Sequence, residues 1–530
     1  MAKVFNTTAV CVPEEHYMVN ITGRLDEIKE LIDAGKYFTV NRARQYGKTT
    51  TLLALCRYLK DTYYVVYIDF QIFGNADFGS EYDFAAAFAN SFQEAFTLGA
   101  GVQSGKLAEA LEDLGKNSCK EKFSLRLLFK DLRSVCASSD RPVVLIMDEV
   151  DSASNNQVFL DFLAQIRAQY ITRFQQPAFK SVILAGVYDI KNLKQKLRPD
   201  EEHKYNSPWN IAADFKVDMS FSKNDIAGML EEYEADWHTG MDVEEMSGLL
   251  YDYTSGYPFL VSRLCQLMDE QVGGEAGQKR EAWTKDGFYE AVRMLLAEKN
   301  TLFESLIGKL HDYPDLNMML RTLLFTGRSF SYSADGSVTD IASMFGFIKN
   351  INGNVAVSNR IFETRLYNYY LSEDEMQNTE IYKASLNDKN QFIVNGHLDM
   401  RRILERFAVH FNDIYGDRGE KFLEEEGRQY FLLYLRPIIN GVGNYYIEAR
   451  TRGLKRTDLI VDYRGERYVV EMKIWHGEEY NRQGEEQLLG YLEDYHLDVG
   501  YLLSFNFNKS KRAGVHEIEL QGKKIIEAVV

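Results

Sequence analysis

FTVNRARQYGKTTTLL, residues 38–53, runs from a short apolar stretch through Gly47-Lys48-Thr49-Thr50 into a second apolar stretch at helical spacing. It reads as a buried strand, a tight loop and the first turns of a helix. A loop that holds a polyphosphate needs backbone N–H groups turned inward, a lysine that reaches the terminal phosphates, and a hydroxyl on Mg²⁺ at a helix N-terminus. Gly47, Lys48 and Thr49 supply those parts, with Thr50 beside them. The pattern G-x-x-x-x-G-K-[ST] is broken once, because its first glycine falls on Arg42. That break bears on nucleotide turnover more than on nucleotide binding. The bland alternative is a helix start that merely has this composition.

A phosphate loop needs a second, acidic strand to hold the metal and orient water, and Pro142–Asp151 reads PVVLIMDEVD. Its apolar run suits a strand buried on both faces, with Asp148-Glu149 at the carboxyl end. Asp148 is expected to hold Mg²⁺ through water, and Glu149 to polarise the attacking water. An acidic pair after a strand is otherwise often a turn or a helix cap. The two segments together point to a P-loop ATPase with ATP and Mg²⁺ as cofactors.

A chain of 530 residues exceeds one core and should hold three or four units. The net charge of −17 argues against wholesale coating of DNA and leaves room only for a locally basic cleft. Cys11, Cys56, Cys119, Cys136 and Cys265 are scattered, with no C-x-x-C pair, as suits a reducing cytosol. No apolar run has membrane-spanning length and the N-terminus lacks a signal-peptide core, so a cytoplasmic protein without a membrane partner is expected.

Around the loop, Arg24–Ile32 reads as an amphipathic helix, YVVYIDF (64–70) as a second buried strand, residues 80–136 as mostly helical, and SVILAGVYDI (181–190) as a further strand. At its end Tyr188 or Asp189 could sense a γ-phosphate, with a simple turn as the alternative. Strands alternating with helices make a doubly wound α/β unit with the loop at the carboxyl ends of the strands. Ser222-Lys223-Asn224-Asp225 opens a helical segment reaching Asn300, which contains GYPFLVSRL (256–264). The GKTT loop, the DEVD strand end, GVYD, SPWNIA and GYPFLVSRL, in this order, resemble AAA-like ATPases related to the signalling P-loop ATPases of prokaryotes. That resemblance implies a helical lid oriented by Pro258, with Arg263 as a phosphate sensor; the alternative for Arg263 is a surface helix charge. Further on, two strands turning at Asn352-Gly353-Asn354 and followed by a helix resemble a winged helix. Without a basic helix it should relay lid movement. Residues 372–397 are polar and read as a linker.

The last stretch carries a second chemical pattern. A helix over 419–435 precedes strands at 445–449, 457–461 and 467–475, a helix at 485–495 and a strand at 499–505. Asp458 and then Glu471-Met472-Lys473 give D-x(12)-E-x-K. Residues two apart on a strand share a face, so Glu471 and Lys473 can meet Asp458 of the neighbouring strand. Two carboxylates and a lysine suit metal-assisted phosphodiester hydrolysis: Asp458 and Glu471 hold the metal, and Lys473 positions or deprotonates the nucleophile. Glu426 on the preceding helix is the candidate third carboxylate, and Gln487, four residues before Tyr491, would touch the lysine and the nucleic-acid backbone. The alternatives are cross-strand ion pairs or an inactive fold used for binding. His410, His476 and His496 lack metal spacing. The order αβββαβ resembles the PD-(D/E)XK, or restriction-endonuclease-like, nuclease superfamily, in the form found behind AAA-like ATPases in bacteria, with Thr457-Asp458 in place of its usual Pro-Asp.

The expected organisation is therefore an ATPase core at 1–215, a lid at 216–300, a winged-helix-like module at 301–371, a linker at 372–405 and a nuclease-like domain at 406–530. The function expected is ATP binding and hydrolysis with metal-dependent cleavage of nucleic acid, DNA before RNA, with a homo-oligomer possible. The alternative is an ATP-driven signalling or oligomerisation switch whose C-terminal fold only binds.

Overall fold

Val143–Asp148 (β3) is buried at all six positions, because parallel neighbours flank it and helices cover both its faces. Tyr64–Asp69 (β2) and Ser181–Gly186 (β4) pair with it, and Phe38–Asn41 (β1) pairs with β4, giving an all-parallel sheet of order β1-β4-β3-β2. Such a sheet needs apolar side chains on both sides. Val144 and Ile146 pack with Leu25 and Ile28 of α1 (Thr22–Asp33) and with Leu52 and Leu55 of α2 (Lys48–Leu59). Val143, Leu145 and Met147 face the other way, into a layer that includes Phe84, Phe88, Phe92 and Phe96 of α3 (Glu81–Ala100). Their four-residue spacing places all four rings on one stripe of the helix. The fold is α/β, as expected, and the loop after β1 lies at the carboxyl end of a strand, where sheets of this kind bind ligands.

The computed structural model describes residues 3–100, 105–187, 209–273, 279–325, 330–333, 336–373, 378–388, 391–415, 424–439, 443–446, 459–475, 478–507 and 513–530. The chain divides into two units, one of Met1–His238, Gly256–Gln266 and Met344–Gly346, the other of Thr239–Ser255, Leu267–Ser343 and Phe347–Val530. This division cuts through the segment 216–300 that reads as a lid. In the first unit, Ser222 caps the helix Lys223–Trp237 in a reciprocal pair with Asp225. Gly256 has φ +71°, and a Cβ there would lie 1.9 Å from the Phe221 carbonyl oxygen. Only glycine fits that turn, which leads to Pro258 at the start of the helix Pro258–Leu267.

In the second unit, Ile348–Ile351 (β5) and Asn354–Val357 (β6) form the expected hairpin. Asn352 and Gly353 both have positive φ, 52° and 84°, the signature of a type I′ turn. The helix Arg360–Tyr370 follows, capped by Asn359. The stretch read as a linker departs from expectation. It carries a helix, Glu380–Asp388, whose buried Ser385 hydroxyl donates to the Tyr434 carbonyl. A short hairpin, Ile393–Val394 (β7) with His397–Leu398 (β8), comes next. The helix Met400–Tyr415 then buries Met400, Ile403, Leu404, Phe407 and Phe411. The polar helix is held by tertiary packing, which its own sequence signals only weakly.

The C-terminal sheet has the order β13-β14-β12-β11-β10-β9. The helix Glu424–Ile439 leads into Gly443–Tyr446 (β9), Leu459–Tyr463 (β10) and Glu466–Ile474 (β11), and the helix Glu478–Asp494 into Val499–Phe505 (β12). The expected succession of elements is present. The second helix begins seven residues earlier than the predicted Glu485, and β10, predicted at 457–461, is described from Leu459 to Tyr463. Two strands were not anticipated, Gly514–Leu520 (β13) and Lys523–Val529 (β14), which turn at Gln521-Gly522. β14 pairs in parallel with β12. Among the described residues, no helix is long and apolar enough to cross a membrane.

Candidate functional site

Gly47 closes the loop in the left-handed region, φ 75°, as the residue before α2. Nothing lies within 4 Å of where its Cβ would be, so glycine is favoured there by backbone angle and not by lack of space. Lys48 is buried, and its Nζ donates to the carbonyls of Arg42 at 3.1 Å and Ala43 at 3.2 Å. Thr49 Oγ1 donates to Asp148 Oδ2 at 2.8 Å, which joins the loop to the acidic strand. Tyr67 of β2 donates to the same oxygen at 2.9 Å, and the Glu149 N–H donates to Asp148 Oδ1 at 2.9 Å.

Burial pushes the Lys48 ammonium below its ordinary range, against the opposing pull of Glu149, Asp148 and Asp151. Burial likewise raises the Glu149 carboxyl, with Lys48 opposing and Asp148 adding to the rise. A hydroxyl and a carboxylate 2.8 Å apart are hard oxygen donors that fit Mg²⁺. Asp151 lies against the end of β4: its carboxylate accepts the Val187 N–H at 2.5 Å, and a Cβ on Gly186 would lie 2.7 Å from it. Tyr188 and Asp189, the candidates for γ-phosphate sensing, lie outside the described residues.

Among described non-glycine residues, positive φ occurs in the loop at Gln45 (57°) and not at Arg42. The position of the missing first glycine therefore does not need glycine. Arg42 instead donates to the Asn41 and Val217 carbonyls, both at 2.8 Å, and lies over the Phe215 ring at 5.3 Å. Thr50 Oγ1 accepts the Cys11 N–H at 3.3 Å and so pins an N-terminal strap against α2. Strap, loop and the turn at Gly256 border a cavity of about 360 Å³, lined among others by Thr7, Arg24, Tyr46, Gly47, Phe221 and Pro258. That volume falls in the range of about 300–1,000 Å³ usual for small-molecule sites. Arg263 donates to Gln266 Oε1 at 2.7 Å, and the same oxygen accepts the Thr7 hydroxyl at 3.0 Å. Arg263 thus braces the strap, while its neighbour Ser262 lines the cavity. Tyr67, Arg24, Tyr46 and the strap all escaped the sequence pattern.

In the C-terminal sheet, Glu471 and Lys473 share a face of β11, as their spacing predicts. Glu471 is 0% exposed and Lys473 8%, with Nζ 3.0 Å from Oε1. Lys473 pairs across the sheet with Ser504, whose buried hydroxyl donates to Glu527 at 2.7 Å. The helix Glu478–Asp494 covers this face: a Cβ on Gly484 would lie 3.2 Å from Lys473 Cγ. Gln487, half-buried, and Tyr491, buried, lie further along that helix. Burial, with Glu527 adding, raises the Glu485 carboxyl. Glu426 is half-buried on the Glu424–Ile439 helix. Asp458 lies outside the described residues, one position before Leu459, which pairs with Val470. Among the described residues no three His, Cys, Asp or Glu side chains are grouped to hold a metal. Glu471 is thus the one predicted metal ligand of this sheet that the structure describes. The His410 ring lies 5.8 Å from Tyr434, and His476 is outside the described residues.

The model of the AAA-like domain family matches residues 8–373, a stretch that contains Lys48, Asp148 and Pro258 and ends well before Glu471. No curated protein matches the chain significantly. Among solved structures, the Walker-type ATPase of Pyrococcus abyssi is similar at 14% identity and TM-score 0.47, covering 68% of this chain and 99% of that one. The ORC1 protein of Aeropyrum pernix, solved in complex with DNA, has 12% identity and TM-score 0.29 over 66% of this chain and 93% of its own. The ORC2 protein of Aeropyrum pernix, solved as ADPNP–ADP complexes, has 10% identity and TM-score 0.38 over 66% and 95%. All three scores are below 0.5, so kinship rests on the family match.

Proposed function

The chain belongs to the AAA-like domain family, and from that premise we propose that its first unit binds ATP with Mg²⁺ and hydrolyses it. The observation that carries this is the 2.8 Å contact of Thr49 with Asp148 beside the buried Lys48. Lys48 exchanges the Arg42 and Ala43 carbonyls for phosphate oxygens, while the N–H groups at the start of α2 face the same phosphates. Thr49 and Asp148 hold Mg²⁺, which neutralises phosphate charge when bound. Glu149 takes the proton of the attacking water, a task its raised affinity for protons suits. The base lodges in the cavity between strap and lid turn. Steady ATP turnover by wild type that disappears in Lys48→Ala is the expected result. Nucleotide binding without turnover in wild type would leave a non-hydrolysing scaffold.

A second activity, metal-dependent cleavage of nucleic acid at the C-terminal sheet, is favoured by Glu471 and Lys473. Two charges this deeply buried cost several kcal/mol, which is unusual unless a site needs them. In this reading Asp458 and Glu471 hold the metal, Lys473 handles the nucleophile, and Glu426 and Gln487 complete the set. The β5–β6 module relays the lid's state, and the protein works in the cytoplasm on DNA in preference to RNA, alone or as a homo-oligomer. Single- and double-stranded DNA and RNA should be incubated with the protein in Mg²⁺ or Mn²⁺, with and without ATP, beside Lys473→Ala. Cleavage lost in the variant while ATP binding persists is expected. Cleavage in neither would leave the switch, for which light scattering should give a different mass with ATP than with ADP.

A further inference from the structure

Asp148 takes more donors than its pairing with Thr49 requires. Its Oδ2 accepts both Thr49 Oγ1 at 2.8 Å and the Tyr67 hydroxyl at 2.9 Å. Its Oδ1 accepts the Glu149 N–H at 2.9 Å. An ionised carboxylate has about four acceptor positions, two on each oxygen. Two donors therefore fill Oδ2, and a single position remains, on Oδ1.

We propose that Tyr67 is a positioning residue of the Mg²⁺ site: it fixes the rotation of the Asp148 carboxylate, which would hold the metal, and leaves an acceptor position on Oδ1. The proposal rests on the ATP-site reading above and adds to it a residue from a strand that carries no phosphate-binding motif. Placement supports it. Tyr67 is in register with Ile146, and Asp148 is in register with Asp69, so the group on Tyr67 must reach two residues along the neighbouring strand. A phenol has that length, and phenylalanine would arrive without a proton to give. Tyr67 occupies one of the half-buried positions of β2. Without Tyr67 the carboxylate keeps one hydroxyl on Oδ2 and turns more freely about its terminal torsion, which has broad, weakly defined minima.

The same strand supplies a matched control. Tyr64 donates its hydroxyl to Asp140 at 2.9 Å, at the end of β2 away from the loop. Tyr67→Phe and Tyr64→Phe each remove one hydroxyl from the full chain. A fluorescent ATP analogue should be titrated with Mg²⁺ and, separately, bound in EDTA. The Mg²⁺ needed for half-saturation should rise about five- to tenfold in Tyr67→Phe and stay unchanged in Tyr64→Phe, with metal-free affinity equal in all three proteins. An unchanged Mg²⁺ requirement in Tyr67→Phe overturns the proposal. So does an equal loss of metal-free and metal-loaded binding, which would mean a packing role. A wild type that binds no nucleotide removes the ATP-site reading, and the proposal falls with it.

Discussion

At the residue scale, two side chains of the loop region make opposite departures from expectation. Arg42 stands where the pattern wants glycine, yet its backbone does not need one and its side chain ties the loop to Val217 and Phe215. Arg42→Gly, which restores the pattern, should therefore weaken the protein. Two lost hydrogen bonds cost about 1–3 kcal/mol and the added chain freedom up to about 1 kcal/mol. Denaturant unfolding should record that loss, and nucleotide affinity should fall; a gain in affinity would mean that the arginine obstructs the loop. Glu149 is the second case. Its carboxyl is raised chiefly by burial. A carboxyl with a raised folded value holds its proton longer folded than unfolded, so stability drops as pH climbs from the ordinary glutamate range through the raised value. Glu149→Gln removes that drop. Its nucleotide-free thermal midpoint should exceed that of wild type at about pH 7.5 and converge on it near about pH 4, while turnover is lost. An equal gap at both pH values would show that the carboxyl is not desolvated. Lys48, Thr49 and Asp148 were legible because each lies within a few residues of a glycine or a strand end. Tyr67 was not, since an aromatic residue in an apolar strand looks like core until its hydroxyl's partner, 81 positions away, is known.

At the scale of elements, the helix Glu478–Asp494 carries an internal glycine on the face that covers the sheet. Gly484→Ala gains about 0.5–1 kcal/mol of helix propensity. The new methyl would press at 3.2 Å on Lys473 Cγ, part of a flexible side chain that can shift by a few tenths of an ångström. Propensity wins over crowding, so the thermal midpoint should stay level or rise. Lys473 is displaced all the same, and any cleavage activity should fall severalfold; activity unchanged by the substitution would separate Lys473 from the chemistry. Hairpins were legible where the turn signal was used. Asn352-Gly353 lies in a stretch read as a turn and Arg464-Gly465 between two strands expected in succession, and both residues of each pair have positive φ. Asn395-Gly396 and Gln521-Gly522 have the same geometry, and Glu517 and Glu519 alternate with Ile518 and Leu520 before the latter, as a strand would. The Glu380–Asp388 helix was illegible for a different reason: what holds it, Ser385 on the Tyr434 carbonyl, is supplied by a distant element.

For the whole molecule, a net charge of −17 sets the terms on which it can meet a polyanion. Repulsion dominates at a distance, and any contact must come from a local cluster of cations. Anisotropy titrations with a short DNA duplex should give an affinity that drops steeply, about tenfold or more, between about 50 and about 200 mM salt. A flat response would argue against phosphate contacts and against nucleic acid as substrate. The order of the parts along the chain was readable because each is announced by local patterns. Their grouping was not, since segments 256–266 and 344–346 join the first unit across long intervals of sequence. One feature of that unit also determines how it breathes. β3 has a neighbour on each side and is buried at every position, so its amide protons can reach solvent only when the sheet itself opens. Asp148 is thus mounted on a slowly exchanging strand, while its partner Thr49 lies in the first turn of α2, directly after the loop. Deuterium uptake should separate the two, with ATP slowing exchange around Gly47 and leaving β3 at the rate set by global unfolding.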